Sequence, residues 1–199
     1  MKRSLYRLVR SPQYLILAVA ALALPLALAQ SGGSSGGSSG GSANAGSGGS
    51  SGKTETYTIK ESDYKYNPSK MTWHVGDTVK LTIENTSKKD NHEFIMGKKP
   101  LNYVTSSFGN KWPFGWKNTL FGKKSQVSFS NGQGVMAENM SKGGTLQPGS
   151  VELKKGGNSH VTLTFKVPNE TGTWKYACFE EKGQHYTSHH MVGTITIKK

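Results

Sequence analysis

Near the C-terminus, Cys178-Phe-Glu-Glu-Lys-Gly-Gln-His185-Tyr-Thr-Ser-His189-His190-Met191 places a thiol, imidazoles and a thioether in one connection between two apolar segments. Another imidazole, His92, stands upstream in Asn85-Thr-Ser-Lys-Lys-Asp-Asn-His92-Glu-Phe94. One thiolate and two imidazoles in a plane, with a long thioether on the axis, is a donor set on which proteins carry single electrons with copper. Thiolate and thioether suit Cu(I), while imidazole also serves Cu(II). If a rigid frame holds such ligands, the two oxidation states demand little movement between them.

Counting donors sets aside other centres. Cys178 is the single cysteine, and Lys182 stands where the second thiolate of a binuclear copper centre would fall. Six histidines are too few for a multicopper oxidase or a copper nitrite reductase. One cysteine followed by a methionine is poor spacing for tetrahedral zinc. A nucleophilic Cys178 would need a base, an orienting acid and a substrate pocket, and no motif supplies them. The chain therefore reads as a carrier and not an enzyme. Met136 and Met140 could form a soft second Cu(I) site, although a spacing of four is usual for packing. His74 and His160 fall inside strand patterns and read as sheet residues, while Glu93, Glu180 and Glu181 read as solvated or supporting groups beside the donors.

Three histidines follow Cys178. His190 adjoins Met191, and neighbours in an extended chain face opposite ways. His189 could share a face with Met191 but leaves ten residues looped out after Cys178. His185 needs an arc of six residues, and Gly183 within it supplies backbone freedom. The expected order of preference is His185, then His189, then His190.

These donors need a frame. Thr54 to Lys60, Thr78 to Glu84, His160 to Val167, Gly172 to Cys178 and Val192 to Lys198 alternate polar and apolar residues between turn residues. Period-two alternation in Thr, Val, Ile, Tyr and Trp marks strands buried on one face. No helical period longer than two turns stands out. The pattern predicts an all-β, Greek-key β-sandwich of about seven or eight strands. Within it Trp174, Tyr176 and Cys178 share the inward face, and Thr173, Lys175 and Ala177 the other. Residues 97–158 are expected as a long irregular insertion, too long for a plain connection. Its Trp112, Phe114, Trp116 and Phe121 would cover an open end of the sandwich or form an apolar docking patch.

The chain resembles the cupredoxins, and among them the rusticyanin-like members. The resemblance runs in outline from Tyr57 to Lys199, and is sharp at Val75-Gly-Asp-Thr-Val79, Asn85 to Phe94, Gly172 to Cys178 and Met191 to Lys198. It implies one type 1 (blue) copper ion held by His92, Cys178, His185 and Met191. The family usually separates Cys from His and His from Met by four or fewer residues, with Pro-Gly before the His. Here the separations are six and five, with Lys-Gly-Gln before the His. The resemblance further implies one-electron transfer in a respiratory chain, between partners such as a cytochrome and a terminal oxidase. A different function for the same donors is a copper-binding module that buffers or delivers copper to an oxidase, which calls for exposed, exchangeable ligands.

The N-terminus bears on location. Lys2, Arg3, Arg7 and Arg10 precede an apolar run from Tyr14 to Ala29 that ends in Ala27-Leu28-Ala29. Residues 1–29 therefore read as a signal peptide or as an N-terminal membrane anchor through residues 14–29. Residues 30–53 are a Gly/Ser-rich flexible linker, and 54–199 are one copper-binding domain. An exported, periplasmic or extracytoplasmic monomer is expected. Net charge is +13, from 25 Lys and Arg against 12 Asp and Glu. Without the four basic residues of the leader the excess is still about nine, which favours acidic docking sites on partners. The lysines are scattered and the chain is exported, so nucleic acid is not an expected partner.

Overall fold

The structure is a computed structural model that describes residues 52–104 and 111–199. The expected leader and nearly all of the linker lie outside the described residues. Among the described residues no helix is long and apolar enough to cross a membrane. In chain order the strands are β1 (Thr54–Ser62), β2 (Lys65–Asn67), β3 (Lys70–His74), β4 (Thr78–Asn85), β5 (His92–Gly97), β6 (Pro100–Val104) and β7 (Lys111–Trp116). They continue with β8 (Val127–Gln133), β9 (Val135–Glu138), β10 (Ser141–Lys142), β11 (Thr145–Leu146), β12 (Val151–Leu153), β13 (Ser159–Lys166), β14 (Gly172–Ala177) and β15 (Val192–Lys198). One short helical segment, α1 (Glu180–Thr187), lies between β14 and β15.

Two sheets form the sandwich, in the orders β2-β1-β4-β13-β8 and β3-β15-β14-β5-β12-β9. The chain crosses between them from β3 to β4 and again from β4 to β5, as a Greek key does. Within the sheets β1 runs parallel to β4 and β3 parallel to β15, and the other pairs are antiparallel. Each of the five segments read from alternation is a strand, because alternation is what a half-buried pleat requires. Ile59, Leu81, Ile83, Leu163 and Phe165 from one sheet meet Trp73, Phe94, Tyr176, Ile195 and Ile197 from the other in one core cluster. Trp73 and Phe165 pack edge to face across it, with centroids 5.2 Å apart.

The described part of the insertion is irregular over much of its length, as expected, yet it also carries short strands, of which β8, β9 and β12 join the main sheets. These pieces, several of only two to four residues, are too short to show a period in sequence. They also raise the strand count above the seven or eight expected. The expected apolar patch is divided by the fold. Phe121 belongs to the main core, while Trp116 packs with Ile95, Met140, Ala177 and Phe179 in a second cluster. That cluster covers the outer face of the second sheet beside β5 and β14. As a result every residue of β5 is buried, and Ala177 is buried although it faces away from the main core.

Candidate metal centre

The connection from β4 to β5 is built to deliver His92. The Asn85 side chain donates to the carbonyls of Asp90 and Leu153 at 3.1 Å each, and Ser87 Oγ accepts from the N–H groups of Lys89 and Asp90 at 3.0 and 2.9 Å. This closed turn starts β5 at His92, and the pairing of Ile95 with Ala177 sets β5 beside the end of β14. Cys178 follows directly, pointing inward as the alternation expects, and is fully buried. The chain then bends through Glu181, Lys182 and Gly183, with φ of 51°, 57° and 81°. A Cβ on Gly183 would stand 2.4 Å from the Pro113 carbonyl oxygen, so the insertion presses on the bend at the residue without a side chain. Beyond it the Met191 N–H donates to the His185 carbonyl at 2.8 Å, and the Cys178 N–H to the Met191 carbonyl at 3.3 Å. Cys178, His185 and Met191 are thus tied through backbone as well as sequence.

Four of the expected donors are fully buried: His92, Cys178, His185 and Met191. The ligand atoms of His92, Cys178 and His185 all lie within 4.8 Å of one another. Cys178 Sγ is 3.2 Å from His185 Nδ1 and 3.8 Å from His92 Nδ1. Metal–thiolate and metal–imidazole bonds at trigonal angles would set such atoms about 3.8 Å apart, so the spacing fits one ion. His92 Nε2 faces Asp63 Oδ1 at 3.3 Å, and a proton held there leaves the Nδ1 lone pair toward the sulfur. His185 Nε2 is buried without a hydrogen bond, its nearest carboxylate being Glu181 at 3.9 Å.

Electrostatics agrees with a cation at this point. Burial lowers both His92 and His185 below the ordinary histidine value, so both imidazoles are neutral near pH 7 and free to ligate. Burial pushes the Cys178 thiol well up, and the Glu93 charge adds to it. The Glu93 N–H donates to Sγ at 3.3 Å and acts the other way. A bound cation is what would make the thiolate the favoured form.

The remaining histidines stand elsewhere. His189 is exposed and stacks on Tyr64 at 3.8 Å, and His190 is exposed. Tyr64 also meets His185 edge-on at 4.8 Å and so screens it from solvent. Met136 is 51 % exposed while Met140 is 8 % exposed in the second cluster, so the two do not form a shared site.

Of the carboxylates around these donors, Glu93 and Glu180 read from sequence as solvated or supporting groups, while sequence reasoning missed Glu61 and Asp63. Glu93 is fully buried, accepts from the Phe179 N–H at 3.1 Å and pairs with the Lys142 ammonium from the insertion. Burial, then Glu93 itself, drives Glu180 up to about 9. Asp63 sits at a strand end where no period marks it. Glu61 is fully buried with neither carboxyl oxygen hydrogen-bonded, and burial and the Glu93 charge push it from 4.5 up to about 8.

Glu61 predicts a pH dependence. A carboxyl raised in this way is protonated in the folded chain at neutral pH but ionised in the unfolded one. The unfolded state then binds fewer protons between about 4.5 and 8, and stability falls as pH rises through that window. The loss from this group is roughly 3 kcal/mol between about pH 5 and 8. Glu61→Gln, which has no proton to lose, flattens that part of the curve. Urea unfolding of both proteins across the window checks it, and equal slopes would count against the assignment.

Neither a protein-family model nor a curated relative matches the chain. Among solved structures it is similar to reduced auracyanin from Roseiflexus castenholzii, at 17 % identity and a TM-score of 0.43 over 72 % of this chain and 97 % of that one. It is likewise similar to auracyanin A, a "blue" copper protein from Chloroflexus aurantiacus, at 18 % and 0.43 over 73 % and 99 %. Reduced rusticyanin stands at 21 % and 0.38 over 73 % and 84 %. These are cupredoxins, the family whose motifs the sequence resembles.

Proposed function

We propose that the chain is a mononuclear type 1 copper protein performing one-electron transfer between redox partners, with His92, Cys178, His185 and Met191 as the ligands. The observation that carries this is the buried Cys178 Sγ lying 3.8 and 3.2 Å from the Nδ1 atoms of two neutral, buried imidazoles. Copper held there supplies one-electron chemistry between Cu(II) and Cu(I). The protein's own residues set its conditions. The Glu93 N–H and the core of both sheets hold the sulfur in place, Asp63 orients His92, and the α1 bend carries His185 to the opposite side. Burial of all four donors excludes water and resists rearrangement.

The same burial disfavours the buffering or delivery function, which needs exposed, exchangeable ligands. We extend the proposal to an exported monomer in a respiratory chain, exchanging electrons with a cytochrome or terminal oxidase through acidic docking sites. The excess of basic residues and the N-terminal leader support that extension. Addition of Cu(II) to the full chain should give an intense visible band from thiolate-to-copper charge transfer, and Cys178→Ala should remove it. A colourless Cu(II) complex of the intact chain overturns the proposal.

A further inference from the structure

The opposite pole of the sandwich holds a second set of ligating side chains. Glu55 on β1, His74 at the end of β3 and Asp77 in the turn before β4 bring one carboxylate oxygen, one imidazole nitrogen and another carboxylate oxygen within 4.8 Å of one another. The geometry points to a divalent-cation site at Glu55, His74 and Asp77, of the class filled by zinc, bridging the two sheets far from the thiolate centre. Asp63, against His92, lies eight residues along the chain from Glu55, which sets the two centres about 25 Å apart at strand rise.

Several observations support a ligand here. Asp77 is only 6 % exposed, and its Oδ2 is buried without a hydrogen-bond partner. His74 Nδ1 is likewise buried and unpartnered, and the two atoms face each other at 3.8 Å. Asp77 is held in that pose, because its Oδ1 accepts the Lys53 N–H at 3.1 Å and its own N–H donates to the His74 carbonyl at 3.1 Å. Gly76 between them has φ of 85°, which tightens the turn from one sheet to the other. Glu55 completes the set, and the Tyr57 O–H donates to its Oε2 at 2.5 Å. The Lys53 ammonium lies 2.5 Å from Glu55 Oε1 as a local counter-charge, and at 63 % exposure it can swing into water when a cation takes its place.

The donor set selects the ion class. One imidazole and two carboxylates are zinc ligands, and four-coordinate bonds of ordinary length would set them about 3.4 Å apart, a small closure of the observed cluster. With no thiolate or thioether it is a poor site for Cu(I). Three protein ligands leave a position for water. Because the ligands come from both sheets, the bound ion acts as a staple.

The test is calorimetric titration of zinc chloride into the full chain, once loaded with copper and once as Cys178→Ser. One equivalent should bind in both backgrounds, leaving the visible band of the copper form unchanged. His74→Gln and Glu55→Gln, at positions that are not fully buried, should each weaken that binding at least about tenfold. Zinc affinity unchanged in both variants, no binding at all, or binding that disappears with Cys178→Ser overturns the inference. The last outcome would place zinc in the thiolate site.

Discussion

His185→Ala should abolish the visible band of the Cu(II) protein, whereas His189→Ala and His190→Ala should keep it. His185 is fully buried with Nδ1 at 3.2 Å from Cys178 Sγ, and its backbone carbonyl accepts the Met191 N–H. His189 spends its ring face on Tyr64, and His190 points to solvent in a left-handed conformation with φ of 54°. Neither can replace the lost imidazole without unwinding the end of α1. The remaining thiolate and single imidazole should hold copper at least about tenfold less tightly. Visible absorption and copper content after gel filtration read the result. A blue His185→Ala protein would move the ligand to His189 and show that the loop can refold around the ion.

The five strands and the inward face of Cys178 were legible because each depends on a local period of two, which sequence displays directly. The ligand loop was legible because its donors are rare residue types close together. The α1 bend was legible only at Gly183: Glu181 and Lys182 adopt positive φ, which their residue types disfavour, and the close contact of Gly183 with Pro113 is invisible in sequence. That contact joins residues far apart in sequence, as does the packing of Trp116 against Phe179 and Tyr186, at 5.2 and 5.8 Å between centroids. The outer face of β5 gave no clear signal either: charged Glu93 alternates with apolar Ile95 on it, and the insertion buries both. His74 read as an ordinary strand residue because its carboxylate neighbours arrive from another strand and across a turn. In each case a non-local contact overrode a local pattern.

Lys142→Met should destabilise the protein by about 3–5 kcal/mol, the usual consequence of leaving a buried charge without its partner. Glu93 is fully buried, and its position is fixed from both sides. Its N–H donates to Cys178 Sγ at 3.3 Å, and its carboxylate accepts the Phe179 N–H at 3.1 Å. Glu152 and Glu180 crowd it with carboxyl oxygens within 4.8 Å of its own, and Lys142 is the cation paired with it. Methionine retains most of the lysine stem's packing, so the change tests charge more than volume. A carboxylate left alone there draws in water, which disturbs the Phe179 N–H bond beside the thiolate. Glu93→Gln in the same chain keeps an acceptor for Phe179 but removes the charge. The double variant should therefore recover most of the loss, a coupling that additive effects cannot produce. Urea unfolding of the wild type, both single variants and the double variant measures it. A Lys142→Met cost below about 1 kcal/mol would mean that the pair behaves as an exposed one.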